Sequence, residues 1–174
     1  MTTIFTGVRR GDVALAVLAT GLGVALMLEN IMAGPDAGVR VDSHSWLLVP
    51  VFALATIPIL WRRRSMLAVC LVTAAVLAVH LLAFGWMVRC GAGLPLAFAL
   101  AYGVGRLSDG WRSWVGLLVV TGIQVLVLAQ DSAAGLDIAP VTAVVGAAIW
   151  GVGVWVRRRA GRDVAVGAPV PAAA

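Results

Sequence analysis

Lysine is absent from this 174-residue sequence, so all 13 basic residues are arginine. Charge of either sign is scarce: Asp, Glu, Lys and Arg together make up 12%, where a soluble domain carries about 25%. Cysteine occurs twice and tyrosine once. So little charge cannot coat a water-facing surface, which excludes a soluble enzyme and a disordered chain. Two cysteines exclude a disulfide-stapled secreted domain. What is present is apolar: 61% of the residues, with a mean hydropathy of +1.01. That composition belongs to an all-α polytopic membrane protein. An all-arginine basic set beside abundant Ala, Val and Gly also matches a GC-rich bacterial genome, and with it a bacterial cytoplasmic membrane.

Six apolar segments can be read, at 13–32, 46–61, 66–88, 91–105, 114–129 and 138–156. A crossing helix needs about 20 apolar residues, with a usual range of about 17–25. The third and sixth segments meet that need alone, whereas the second, fourth and fifth are short. Arginine placement decides whether the fourth crosses. With six crossings, Arg9, Arg10, Arg62, Arg63, Arg64, Arg106, Arg112, Arg157, Arg158, Arg159 and Arg162 fall on one side, and only Arg40 and Arg89 on the other. If the fourth segment does not cross, Arg106, Arg112 and the four C-terminal arginines move outward and most of the 13 lie outside, against the positive-inside rule. The sequence therefore predicts a bundle of six transmembrane helices with both termini cytoplasmic, followed by a disordered cytoplasmic tail at 160–174. Trp46, Trp61, Trp86, Trp111, Trp114 and Trp155 fall at the predicted boundaries, where amphipathic rings prefer to lie, and Trp150 lies deeper.

Smaller signals refine this picture. The segment after Arg9 and Arg10 exceeds the about 7–15 apolar residues of a signal peptide and ends in Glu29 and Asn30, so it is read as a span. Pro50 and Pro58 should bend the second helix or loosen its hydrogen-bond ladder. Ala97, Ala101 and Gly105 recur every four residues, as do Ala19 and Gly23; such stripes let helices approach closely. The sequence pI near 11 would suit nucleic acid, but the arginines end apolar runs. Membrane lipids, not nucleic acid, are the expected partners.

Few residues offer chemistry. His80 is the only histidine inside a span and shares a helix face with Cys70 and Thr73. Its simplest use is one interhelical hydrogen bond, with Gln124 at similar depth as a partner. Glu29, Asp36, Asp42 and His44 gather outside the membrane, where they could bind a divalent cation or report acidification, although their spacing fits no metal motif and a solvated loop looks the same. The polar site candidates are thus His80, Gln124, Glu29 and His44. No catalytic, cofactor-binding or metal residue is assigned and no cofactor is expected, because no nucleophile–base pair or zinc motif is present. Cys70 and Cys90 lie about 25–30 Å apart along a helix, too far to bond.

The chain resembles the N-terminal membrane domain of actinobacterial sensor histidine kinases. The likeness rests on Arg9-Arg10-Gly11-Asp12-Val13 before the first span and Pro58-Ile59-Leu60-Trp61-Arg62-Arg63-Arg64 ending the second. Ala101-Tyr102-Gly103-Val104-Gly105-Arg106 ends the fourth, and Trp150-Gly151-Val152-Gly153-Val154-Trp155-Val156-Arg157-Arg158-Arg159 the last. It covers about residues 8–160, with Ser65 standing where such domains often carry proline. In that family a phosphoacceptor-histidine segment and an ATP-binding domain follow the last span; here 15 residues follow Arg159 and none is histidine. The resemblance implies a sensory or input domain that is not an enzyme by itself, a homodimer, and a kinase or response-regulator partner. Two other readings suit the same length: a substrate-binding subunit of a vitamin-type transporter, and a small membrane scaffold.

Overall fold

The computed structural model describes residues 7–35 and 38–166, with side chains described to Arg162. Helices make up the fold: α1 (Arg10–Met32), α2 (Leu48–Thr56), α3 (Met66–Phe84), α4 (Cys90–Leu107), α5 (Gly110–Leu128) and α6 (Ala139–Val166). A 3-10 stretch, Ile57–Trp61, continues α2, and a second, Leu136–Ile138, leads into α6. Among the described residues no strand occurs, only an isolated bridge between Met87 and Asp131.

The protein is a helical membrane bundle. Five helices are long and apolar enough to cross a bilayer. Their outward faces are as apolar as their inward ones: Leu82 is 85% exposed and Leu118 72%. A water-soluble bundle would put polar groups there, whereas lipid needs none. The inner faces meet through Met27, Phe52, Ile59, Leu96, Leu100 and Ile123, all essentially buried.

The remaining predicted span is shorter than expected. It holds 9 α-helical residues and 5 of 3-10 helix, about 23 Å in all, against a hydrocarbon core of about 30 Å. Pro58 explains the change of helix type, because its missing N–H cannot close the α-helical bond to the preceding turn. The 3-10 form rises further per residue, so the segment still reaches both ends of α1. Beyond its last residue, Arg62 Nε donates to Asp12 Oδ1 at 2.6 Å. Before its first, His44 Nδ1 donates to the Asn30 carbonyl oxygen at 3.1 Å. Between those ends, Thr20 and Thr56 hydroxyls meet at 2.6 Å, and Thr73 Oγ1 donates to the Ala55 carbonyl at 2.9 Å. Thr56 spends its own proton on the Ala53 carbonyl, so Thr20 is the donor to it.

Helix contacts set the order α1, α2, α3, α5, α4 around the bundle, closing back on α1; α6 lies outside, against α4 and α5. The α4–α6 seam is made by Gly105 and Gly153. A Cβ at Gly105 would strike the Trp150 carbonyl, and one at Gly153 the Tyr102 carbonyl. Only glycine lets the two backbones come this near.

Several boundaries differ from the sequence reading for local reasons. Helix α3 stops at Phe84 rather than 88 because Gly85 adopts φ 65°, a left-handed stop. Helix α5 begins at Gly110, φ 51°, and so includes Trp111 and Arg112. Helix α1 begins at Arg10, where the Arg9 N–H donates to Asp12 Oδ2 at 2.9 Å. Helix α6 continues to Val166, so the tail expected to be disordered from Ala160 is helical over its first turns. The remainder of that tail lies outside the described residues, as does Asp36.

Candidate functional site

Charge divides the bundle into two ends. One end carries Asp12 with Arg62 and Arg63, together with the start of α5 and the end of α6. The other carries Asn30, Asp42, His44, Arg89 and Asp131, and the buried side chains of Asn30, His80, Arg89 and Asp131 gather there.

Arg89 is the centre of that second end. It sits just before α4 and is only 1% exposed. Its Nε donates to His80 Nδ1 at 3.3 Å, and its terminal nitrogens donate to the Gln130 carbonyl at 3.3 Å and to the Gly85 carbonyl. Gln130 holds φ 55°, an uncommon left-handed setting for a residue with a side chain. That setting aims its carbonyl at both Arg89 and the Met87 N–H, 3.3 Å away. Burial pushes the Arg89 guanidinium down to about 10, with the charge of Asp131 opposing the shift. It remains a cation at neutral pH.

Asp131 carries the compensating charge and spends it on backbone. Its Oδ2 accepts from the Arg89 and Cys90 N–H groups at 2.6 and 2.7 Å. Its Oδ1 accepts from Ala133 and Ala134 at 3.0 and 2.9 Å. The carboxylate thus caps the start of α4, where the helix dipole favours an anion, and also closes the turn after α5. Asn30 does similar work from α1. Its amide donates to the Val88 carbonyl at 2.8 Å and accepts from the Val88 N–H at 3.0 Å.

Asp42 ties the α1–α2 loop to this assembly. It accepts from the Trp86 N–H at 3.0 Å and pairs with Arg40 at 2.8 Å, while Arg40 lies over the Trp86 ring, 5.3 Å from its centroid. The Trp86 N–H and then the Arg40 guanidinium hold the Asp42 carboxyl below its usual range.

The structure places the residues proposed from sequence as follows. His80 is fully buried together with Cys70 and Thr73, its ring edge-on to Phe52 and Phe84. Because Nδ1 accepts from Arg89, the ring proton lies on Nε2, a buried atom that makes no hydrogen bond. Gln124 is not its partner. The Gln124 amide is buried, makes no hydrogen bond, and packs on Gly146 of α6, where a Cβ would collide with it. Glu29 is exposed. His44 donates to the Asn30 and Ile31 carbonyls. Among the described residues no three His, Cys, Asp or Glu side chains converge as a metal site.

Arg89 and Asp131 were missed as anything more than loop charges. Arg89 did carry a signal: it is one of two arginines on the side that should lack them, and it directly precedes a helix. Apart from His80 Nε2, the donors and acceptors described around it bond within the fold, so the cluster is a latch between α1, α3, α4 and the turn after α5. No family model matches the chain, and no curated protein and no solved structure is significantly similar to it.

Proposed function

We propose that the chain is a sensory or input domain of a bacterial cytoplasmic membrane, non-catalytic by itself, which passes a change in helix packing outward along α6. The observation that carries this reading is the form of that helix. α6 has 28 residues, about 42 Å, so it outruns a hydrocarbon core of about 30 Å by about two turns. It emerges at the arginine-rich end, which the positive-inside rule assigns to the cytoplasm. It also lies outside the ring of the other helices, held mainly by the glycine seam with α4. An unbroken helix that leaves the membrane and packs chiefly on one neighbour, α4, can carry a shift at that seam outward, as an output element must. The likeness to sensor kinase membrane domains supports the same role, and a homodimer with a kinase or response-regulator partner belongs to it.

The buried groups favour a lipophilic stimulus or a property of the bilayer, since the latch leaves no charge for a hydrophilic ligand to meet. A stimulus must bind two packing states unequally, or nothing is transmitted. The test is to fuse residues 1–166 to a kinase core lacking its own sensor, with zero to four residues inserted at the junction, and to measure autophosphorylation in liposomes. The rate should vary with the helical period of the insertion and with acyl-chain length. A rate indifferent to both would overturn the proposal.

A further inference from the structure

The arginine-rich end holds a feature that the packing of the bundle does not require. The turn between α2 and α3 lies beside the turn between α4 and α5, leaving a cleft of about 190 Å³ whose polar lining is Arg62, Arg63, Arg64, Ser65, Ser108, Arg112 and one carboxylate, Asp109. Positive charge is in excess there. One carboxylate, Asp12, serves both Arg62 and Arg63 through their Nε atoms, and Asp109 is drawn to Arg157 at 3.0 Å. Both α3 and α5 begin at the cleft, so their dipoles add to its attraction for an anion.

A second cavity shares two residues with the first. It is an apolar groove of about 370 Å³ that contains Arg64 and Ser65 and runs along Pro58, Trp61, Ala68, Val69 and Val72. It lies where the 3-10 turn at Pro58 meets the first turns of α3. A cationic cleft that shares Arg64 and Ser65 with an apolar groove on the lipid-facing flank has the two-part form of a phospholipid. A free phosphate would use the cleft alone, and an uncharged lipid the groove alone.

We infer that this composite cavity is a binding site for one anionic phospholipid, with its phosphate headgroup among the arginines and an acyl chain along Pro58, Ala68 and Val72. The inference does not rest on the sensory reading. Basic pockets between helices on the cytoplasmic side are suited to such headgroups, each arginine near the surface contributing a modest and additive share. Arg112 comes from a different turn than Arg62, Arg63 and Arg64, so a bound headgroup would bridge α3 and α5.

The test uses the delipidated full chain in neutral detergent, titrated separately with dioleoylphosphatidylglycerol, dioleoylphosphatidylcholine and glycerol 3-phosphate. The thermal midpoint is followed, and bound lipid is counted by native mass spectrometry. Phosphatidylglycerol should raise the midpoint saturably and leave one lipid bound, and the other two should not. Arg112→Gln should weaken the apparent affinity about fivefold. Ala68→Trp changes no charge and fills the groove, so it should weaken binding by a similar factor. Equal effects of the two lipids would overturn the inference. So would glycerol 3-phosphate matching phosphatidylglycerol, which means a free-anion site, or Ala68→Trp binding as the native chain does, which means surface charge alone.

Discussion

At the residue scale, Arg89 outweighs the histidine that first drew attention. His80 contributes one hydrogen bond to the latch, whereas Arg89 satisfies His80 and two carbonyls and places its N–H on Asp131. Removing the guanidinium strands those acceptors in a dry site. Arg89→Leu should therefore cost about 3 kcal/mol of stability, His80→Leu about 0.6–2 kcal/mol, and His80→Asn less than His80→Leu because an amide keeps a polar group there. Denaturation in detergent micelles measures all three, and a larger loss at His80 than at Arg89 would refute the assignment. The burial of His80 was legible because Cys70, Thr73 and His80 repeat on one helix face. The role of Arg89 was not. An arginine beside a span boundary reads as a solvated charge, and only the return of Asp131 from a turn 42 residues later buries it. Gln124 was misjudged for the same reason, since depth along a helix does not say which neighbour a side chain faces.

At the element scale, α4 and α6 make the closest seam, and it is the joint an output helix would use. Gly105 and Gly153 press on carbonyls of the facing helix, while Gly151, two residues away, has nothing within 4 Å of an added Cβ. Gly153→Ala and Gly105→Ala should each destabilise by about 1–3 kcal/mol through overpacking against backbone that cannot yield. Gly151→Ala should be neutral or slightly stabilising, as alanine is the better helix former. Unfolding midpoints of the three variants side by side check this, and equal midpoints would remove the seam. The small-residue stripe ending at Gly105 was visible in the sequence. Its partner was not, because spacing marks a face without naming the helix opposite. Helix α2 shows the complementary limit: Pro50 and Pro58 announced a disturbed helix, but not that the ladder would switch to 3-10 geometry and still reach the far end.

At the scale of the whole molecule, the apolar segments were readable: five of the six correspond to helices long and apolar enough to cross a bilayer, and the sixth to the shorter Leu48–Trp61. The order of helices around the bundle was not readable. Membrane helices are apolar on all sides, so no polar stripe tells the inward face from the outward one, and α6 outside the ring could not be told from α3 within it. Orientation has a direct test in a background with Cys70→Ala and Cys90→Ala. Cysteine placed at Ala133, in the turn that Asp131 closes, should react with a membrane-impermeant maleimide in intact cells. Cysteine at Gly161, on the protruding end of α6, should react only after permeabilisation. The opposite pattern would invert the molecule.

The brevity of α2 has a consequence for the lipids beside it. Trp46 and Trp61 bracket that segment, and Trp46, Leu47 and Leu54 face outward, so the flank presents a belt of about 23 Å where the rest of the bundle presents a taller one. The surrounding bilayer must pinch toward that flank, at a cost of fractions of a kcal/mol per Å. The mismatch is lopsided, so it favours short or disordered acyl chains on one side of the protein and a tilt toward that side. A uniformly thicker membrane would strain α2 before any other helix.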